Sequence, residues 1–167
     1  DGRVPIGTEP TNVMRRVDPA TNTVVGFATV QGALLDSPVA VGDGAVWVEA
    51  GESVGRVDRV NPSTNEVVAS VLSPEPFREV VRSVIDVVAD GDHGWMIGTS
   101  YVARIDPDTN QVVATVTLPG AASGAVLIDG FLLVGSAGNT LYRIDTSTMM
   151  LDAVIDLGPG GPPARHL

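Results

Sequence analysis

Arg104-Ile-Asp-Pro-Asp-Thr-Asn-Gln-Val-Val-Ala-Thr-Val116 is the stretch whose reading decides the fold. Its first half is turn chemistry. Proline presets φ at the second turn position, and the carboxylate of the preceding Asp106 caps the amides that follow. Asn110 sits where a left-handed backbone is tolerated. Its second half, from Val112 to Val116, is rich in β-branched residues, which favour a strand. The segment therefore reads as strand, tight turn, strand.

Three further copies of this segment lie in the chain. Arg16-Val-Asp-Pro-Ala-Thr-Asn22, Val60-Asn-Pro-Ser-Thr-Asn65 and Arg143-Ile-Asp-Thr-Ser-Thr148 align with it, and each is followed by its own apolar run. The aligned residues Asp18, Asn61, Asp106 and Asp145 are 43, 45 and 39 positions apart. Their recurrence in every unit assigns them a structural task, the capping of a turn, and not a repeated site. A second marker keeps the same phase: Asp1-Gly2, Asp43-Gly44, Asp90-Gly91 and Asp129-Gly130. Asp-Gly between apolar runs is the signal of a two-residue hairpin. In the second unit it joins Val39-Ala-Val41 to Ala45-Val-Trp-Val48, and the sequence then proceeds through 57–60 and 67–71. Four strands per unit of about 40 residues describe a propeller blade. The fold expected is all-β: a β-propeller of four four-stranded blades, with units at about 1–41, 42–88, 89–127 and 128–167. Trp47 and Trp95, flanked by apolar residues, are expected to fill the space between blades.

The stretch 104–116, together with Gly44-Ala-Val-Trp-Val48, resembles the YVTN-type β-propeller repeats of bacterial and archaeal proteins, and streptogramin-lyase-like propellers carry similar blades. The resemblance spans essentially the whole chain. It implies a propeller, and a secreted, periplasmic or cell-surface location. Family propellers usually hold about seven blades, whereas this chain has material for four. Because residue 1 opens at a hairpin, the first unit lacks its innermost strand. Pro163-Ala-Arg-His-Leu167, read on into Asp1-Gly2-Arg3-Val4, parallels Pro38 to Val46 and can complete that blade from the same or another chain. Three arrangements stand open: a ring closed within one chain, two chains closing one ring of eight blades, or a portion of a longer propeller.

The composition excludes several classes of protein. The chain has 167 residues, 44% hydrophobic and 18% charged, enough apolar matter for one packed domain. No apolar run approaches the ~18 residues of a membrane span. Ten basic residues, all arginine, oppose twenty acidic ones for a net charge of −10, a field that repels nucleic-acid phosphates. There is no cysteine, hence no disulfide, thiolate metal site or cysteine nucleophile. Serine lacks a Gly-x-Ser-x-Gly setting, and Gly158-Pro-Gly-Gly161 lacks the Lys-Ser/Thr of a phosphate loop.

Function in propellers sits on loops. The longest connection, Ser73 to Ser83, carries Phe77, Arg78 and Arg82. The two arginines, four apart, can share one face and hold a carboxylate or phosphate. Glu49 and Glu52 follow the Trp47 strand and are candidates for ligand binding, as a base or as metal ligands. His93 lies in the Asp90-Gly-Asp-His-Gly94 turn, and no calcium-loop spacing surrounds it. No catalytic set and no resident cofactor or metal is assigned. The expectation is a noncatalytic binding or assembly module, with a protein, peptide or glycan ligand, and with self-association as a route to ring closure. The alternative, implied by the lyase-like resemblance, is a lyase or hydrolase dependent on Mg or Ca at the ring mouth.

Overall fold

A computed structural model describes residues 12–34, 36–51, 54–74 and 84–158. Fourteen strands fall into four antiparallel sheets. The first holds β1 (Val13–Asp18) and β2 (Thr23–Thr29). The second holds β3 (Val39–Gly42), β4 (Ala45–Glu49), β5 (Arg56–Asn61) and β6 (Glu66–Leu72). The third runs through β7 (Val84–Ala89), β8 (Gly94–Gly98), β9 (Tyr101–Asp106) and β10 (Gln111–Thr117). The fourth runs through β11 (Ala122–Ile128), β12 (Phe131–Ser136), β13 (Thr140–Asp145) and β14 (Met150–Asp156). Within each sheet the strands follow chain order. This is the meander of a propeller blade, and the four sheets are four blades. The strand proposed to complete the first blade falls outside the described residues at both termini.

The first strands of successive blades stand side by side, β3 against β7 and β7 against β11. These strands line the axis. Each blade's first strand precedes the hairpin that begins the repeat unit, so Val39–Gly42 pairs with Ala45–Glu49 across the Asp43-Gly44 turn.

The turns follow from their residues. Asp43 and Gly44, and again Asp129 and Gly130, all have positive φ, the requirement of a type I′ turn whose twist matches the strands it joins. The third Asp-Gly pair differs, because two further residues widen the loop. There Asp90 Oδ1 accepts hydrogen bonds from the amides of Asp92 at 2.7 Å and His93 at 2.8 Å. The hairpins between third and fourth strands close alike in all four blades. Asp18 Oδ1 accepts from the Ala20 amide at 2.9 Å, and Asn61, Asp106 and Asp145 each accept from amides two and three positions on. Asn22, Asn65 and Asn110 end these turns in the left-handed region. In the fourth blade Met149 holds that conformation, at φ 53, without the local hydrogen bonding that suits asparagine to it.

Packing lies between blades, not within them. One cluster joins Trp47, Val57 and Val71 of the second blade to Val87, Met96 and Tyr101 of the third. A second joins Trp95, Ile97 and Val102 of the third to Leu132, Tyr142 and Ile144 of the fourth. A third joins Ala28 and Val30 to Val48 and Val60 across the first and second. Alternation does this: Val46 and Val48 face the preceding blade, Ala45 and Trp47 the following one. Trp47 lies so close to the next blade that a Cβ on Gly94 would stand 3.2 Å from its ring, which makes glycine the residue that fits there. Both tryptophans are buried between blades.

Trp47→Ala is expected to cost about 3–5 kcal/mol by emptying the seam between the second and third blades. Val68→Ala, on an exposed outer strand, is expected to stay within about 0.5 kcal/mol. Urea denaturation of the two variants checks the contrast.

Candidate functional site

Charged side chains near the blade seams are engaged with the scaffold. The third strand of each blade carries an arginine two residues before the turn-capping Asx: Arg16, Arg59, Arg104 and Arg143. In the first three blades this guanidinium crosses to the following blade and donates to the main-chain carbonyl just after that blade's own Asx. Arg16 donates to Pro62, Arg59 to Pro107 at 3.0 Å and Arg104 to Thr146 at 3.1 Å. Arg59 also pairs with Asp43 at 2.7 Å and stands over the Trp47 ring at 5.5 Å. The pattern was open to reading in the sequence, since Arg-x-Asx recurs in every unit, but its meaning depends on which turn stands opposite.

Carboxylates play related parts. Asp86, on an axial strand, accepts at Oδ1 from its neighbour Val87 and at Oδ2 from the Ala125 amide of the next blade, at 2.8 and 2.9 Å. It pins β7 to β11 where the ladder bulges between Val84 and Asp86. The buried Asp58 receives a two-pronged contact from Arg56, at 2.8 and 3.1 Å, and the same guanidinium reaches the Gln31 carbonyl. Neither aspartate stood out in the sequence, where each is one acid among twenty.

Glu49 ends β4, is 5% exposed, and accepts a hydrogen bond at Oε2 from the Ser37 hydroxyl at 2.7 Å. Ser37 lies in the connection leading to β3, so the pair closes the entry to the second blade. Glu52, Phe77, Arg78 and Arg82 lie outside the described residues. The imidazole of His93 stands 5.6 Å from the Trp95 ring at the edge of the seam between third and fourth blades. Among the described residues no three acidic or histidine side chains converge in a group able to hold a metal ion. No described helix is long and apolar enough to cross a membrane.

A different surface emerges between the first and second blades. Met14, Phe27, Ala28, Val46, Val60 and Pro62 line an apolar groove of about 130 Å³, with Arg15, Arg16 and Asn65 at its margin. Sites for drug-sized molecules occupy roughly 300–1,000 Å³. This groove is smaller than such a site. Phe27, 68% exposed, stands on its outer wall. The sequence hid the groove because the outer strand reads only as an apolar run.

Two of the turn carboxylates titrate below their ordinary value of 3.8. Asp18 is held down chiefly by the Ala20 amide and then by the Thr21 hydroxyl; Asp145 chiefly by the Ser147 hydroxyl and then by the Thr148 amide. All of these donors favour the charged form.

No protein-family model matches this chain, and no curated protein matches it in sequence. Its structure is similar to many solved ones. Hydrazine synthase of Kuenenia stuttgartiensis superposes with a TM-score of 0.70 at 14% identity, over 86% of this chain and 42% of that one. A chain of the mitotic checkpoint complex superposes with a TM-score of 0.71 at 12% identity, over 89% of this chain and 46% of that one. Both likenesses establish the propeller fold, and this chain spans less than half the length of each.

Because the folded-state values of Asp18 and Asp145 lie below 3.8, their stabilisation is complete above that pH and is lost as pH falls through the depressed values. Asp145→Asn is therefore expected to be less stable than the parent at neutral pH, with the difference shrinking well below pH 3.8. Urea midpoints at the two pH values measure this.

Proposed function

We propose that this chain is a noncatalytic propeller segment that works as a binding or assembly module for protein or peptide partners, outside the cytoplasm. One observation carries the reading: an apolar groove with the exposed Phe27 beside it lies open between the first and second blades, while the seam arginines Arg16, Arg59 and Arg104 hold blades to each other. Arg59, Arg104, Asp58 and Asp86 are spent on the scaffold. Exposed apolar side chains stand at Phe27 beside the groove, at Val39 and Val41 on the axial strand of the second blade, and at Val126 and Ile128 on that of the fourth. Exposed apolar patches of this kind mark surfaces made for contact. The likeness to a chain of the mitotic checkpoint complex supports protein partners. The extracytoplasmic setting rests on the repeat resemblance, as does the competing reading of a metal-dependent lyase or hydrolase.

Thermal unfolding in Mg²⁺ and Ca²⁺ separates the two readings. A resident divalent ion at a hundredfold its Kd stabilises by about 2.7 kcal/mol, a rise of about 5–10 °C for a domain of this size. The melting temperature is expected to stay flat across the titration. A saturable rise overturns the noncatalytic reading in favour of the metal-dependent one.

A further inference from the structure

The seams between the described blades are built from the same four walls. In the first seam these are Met14, Ala28, Val46 and Val60; in the second, Val57, Val71, Gly94 and Ile105; in the third, Val102, Val116, Leu132 and Ile144. In the second seam the walls close on Trp47, which lies against Gly94 and shares a cluster with Val57, Val71 and Ile105. In the third they close on Trp95, clustered with Val102, Val116, Leu132 and Ile144. Each ring comes from the second strand of the blade before the seam. In the first seam the matching walls form the third cluster, which has no aromatic side chain among the described residues, and here the groove opens.

Burial records the difference. Val57, Val102 and Leu132 are fully buried, whereas Met14 and Val46 in the matching places are half-buried. The stretch of the first unit that corresponds to the tryptophan strands falls within 1–11, outside the described residues, and its sequence carries no aromatic residue. The polar rim is nevertheless the same. Arg59 donates to the Pro107 carbonyl and stands 5.5 Å over the Trp47 ring. Arg16, in the same register, donates to the Pro62 carbonyl and lines the groove. A guanidinium held there favours an aromatic face over an aliphatic side chain. Asp43 neutralises Arg59, while among the described residues no carboxylate pairs with Arg16. Phe27 carries the apolar surface outward. Its counterparts on the outer strands of the second and third blades are Ser70 and Thr115, both exposed although their blades have a neighbour on each side.

We propose that the groove is a socket for one tryptophan side chain carried by a protein or peptide partner, its ring lying beneath the Arg16 guanidinium as Trp47 lies beneath Arg59. The proposal rests on the binding reading above and specifies its ligand. In both sister seams the ring arrives on a peptide strand and enters between walls of the same register. There it stands across the ladder from an arginine bonded to the opposing turn. The chain thus holds this side chain twice within itself and presents the same walls a third time as an open groove.

The probe is an acetylated, amidated Gly-Trp-Gly peptide, titrated into the full chain and followed through the methyl NMR signals of Met14, Val46 and Val60. Saturable shifts confined to these groove methyls are expected, with the matching Gly-Leu-Gly peptide binding several-fold more weakly. Arg16→Gln is expected to weaken Gly-Trp-Gly about two- to fivefold and to leave Gly-Leu-Gly unchanged. Val46→Phe fills the groove from within and is expected to abolish the shifts of Met14 and Val60; where that variant does not fold, Arg16→Gln carries the test. The absence of saturable shifts, equal binding of the two peptides, or binding that survives Val46→Phe overturns the proposal. So does occupation of the groove by the chain's own residues 1–11, detected as nuclear Overhauser contacts to the groove methyls. With flat metal titrations, failure of Gly-Trp-Gly to bind overturns the socket alone and leaves the binding reading standing. Metal stabilisation of a chain that still binds Gly-Trp-Gly overturns the noncatalytic reading and leaves the socket.

Discussion

A β-sheet apolar on both faces can be stable in water only with a neighbour on each side, and every blade of this chain is such a sheet. The alternating residues of β4 show why. Val46 and Val48 bury against the first blade while Ala45 and Trp47 bury against the third, so neither face is a solvent face. The three clusters lie wholly between blades. Stability in such an array is a sum over contacts between nearest neighbours. The second and third blades, covered on both sides, hold most of the fully buried side chains.

The polar groups are subordinate to that packing and give it register. An apolar seam is tolerant of sliding, since it is non-directional. A guanidinium reaching one carbonyl in the opposing turn is not. Arg59 and Arg104 fix the height of each blade against the next at the turn end, and Asp86 does so at the axial strands by accepting the Ala125 amide. The Asx turns serve both ends of this arrangement. Their side chains hold the loop, and the carbonyls after Asn61, Asp106 and Asp145 become the acceptors for the preceding blade.

Much of the local structure was legible in the residues. Asp-Gly at 43 and 129 specified two-residue turns because both positions need positive φ, and proline after Asx specified the turns between third and fourth strands. Two places departed from the repeat. Asp90-Gly91 opens a wider loop because Asp92 and His93 lengthen it, and Met149 takes the left-handed place held elsewhere by asparagine. The candidate site was less legible. Glu49 drew notice as a carboxylate beside a strand end, and its burial and its bond to Ser37 depend on a connection twelve residues earlier in the chain. The groove beside Phe27 has no signal in sequence, since its walls come from β1, β2, β4 and β5 and meet only when two blades pack.

The sequence by itself determined the unit: strands from β-branched runs, turns from Asp-Gly and from a capping Asx followed in three of the four units by proline, and the phased recurrence of the unit four times. These are short-range properties, set by backbone sterics and by hydrogen bonds spanning a few residues. Only the tertiary structure decided which residues share a seam. Arg16, Arg59 and Arg104 find their acceptors 46, 48 and 42 residues away, a pairing that exists only because blades stand side by side. It decided, too, that identical positions have unlike fates. Val17 and Ile105 occupy the same place in the repeat, and one is open and the other buried, because burial depends on the neighbour and not on the residue.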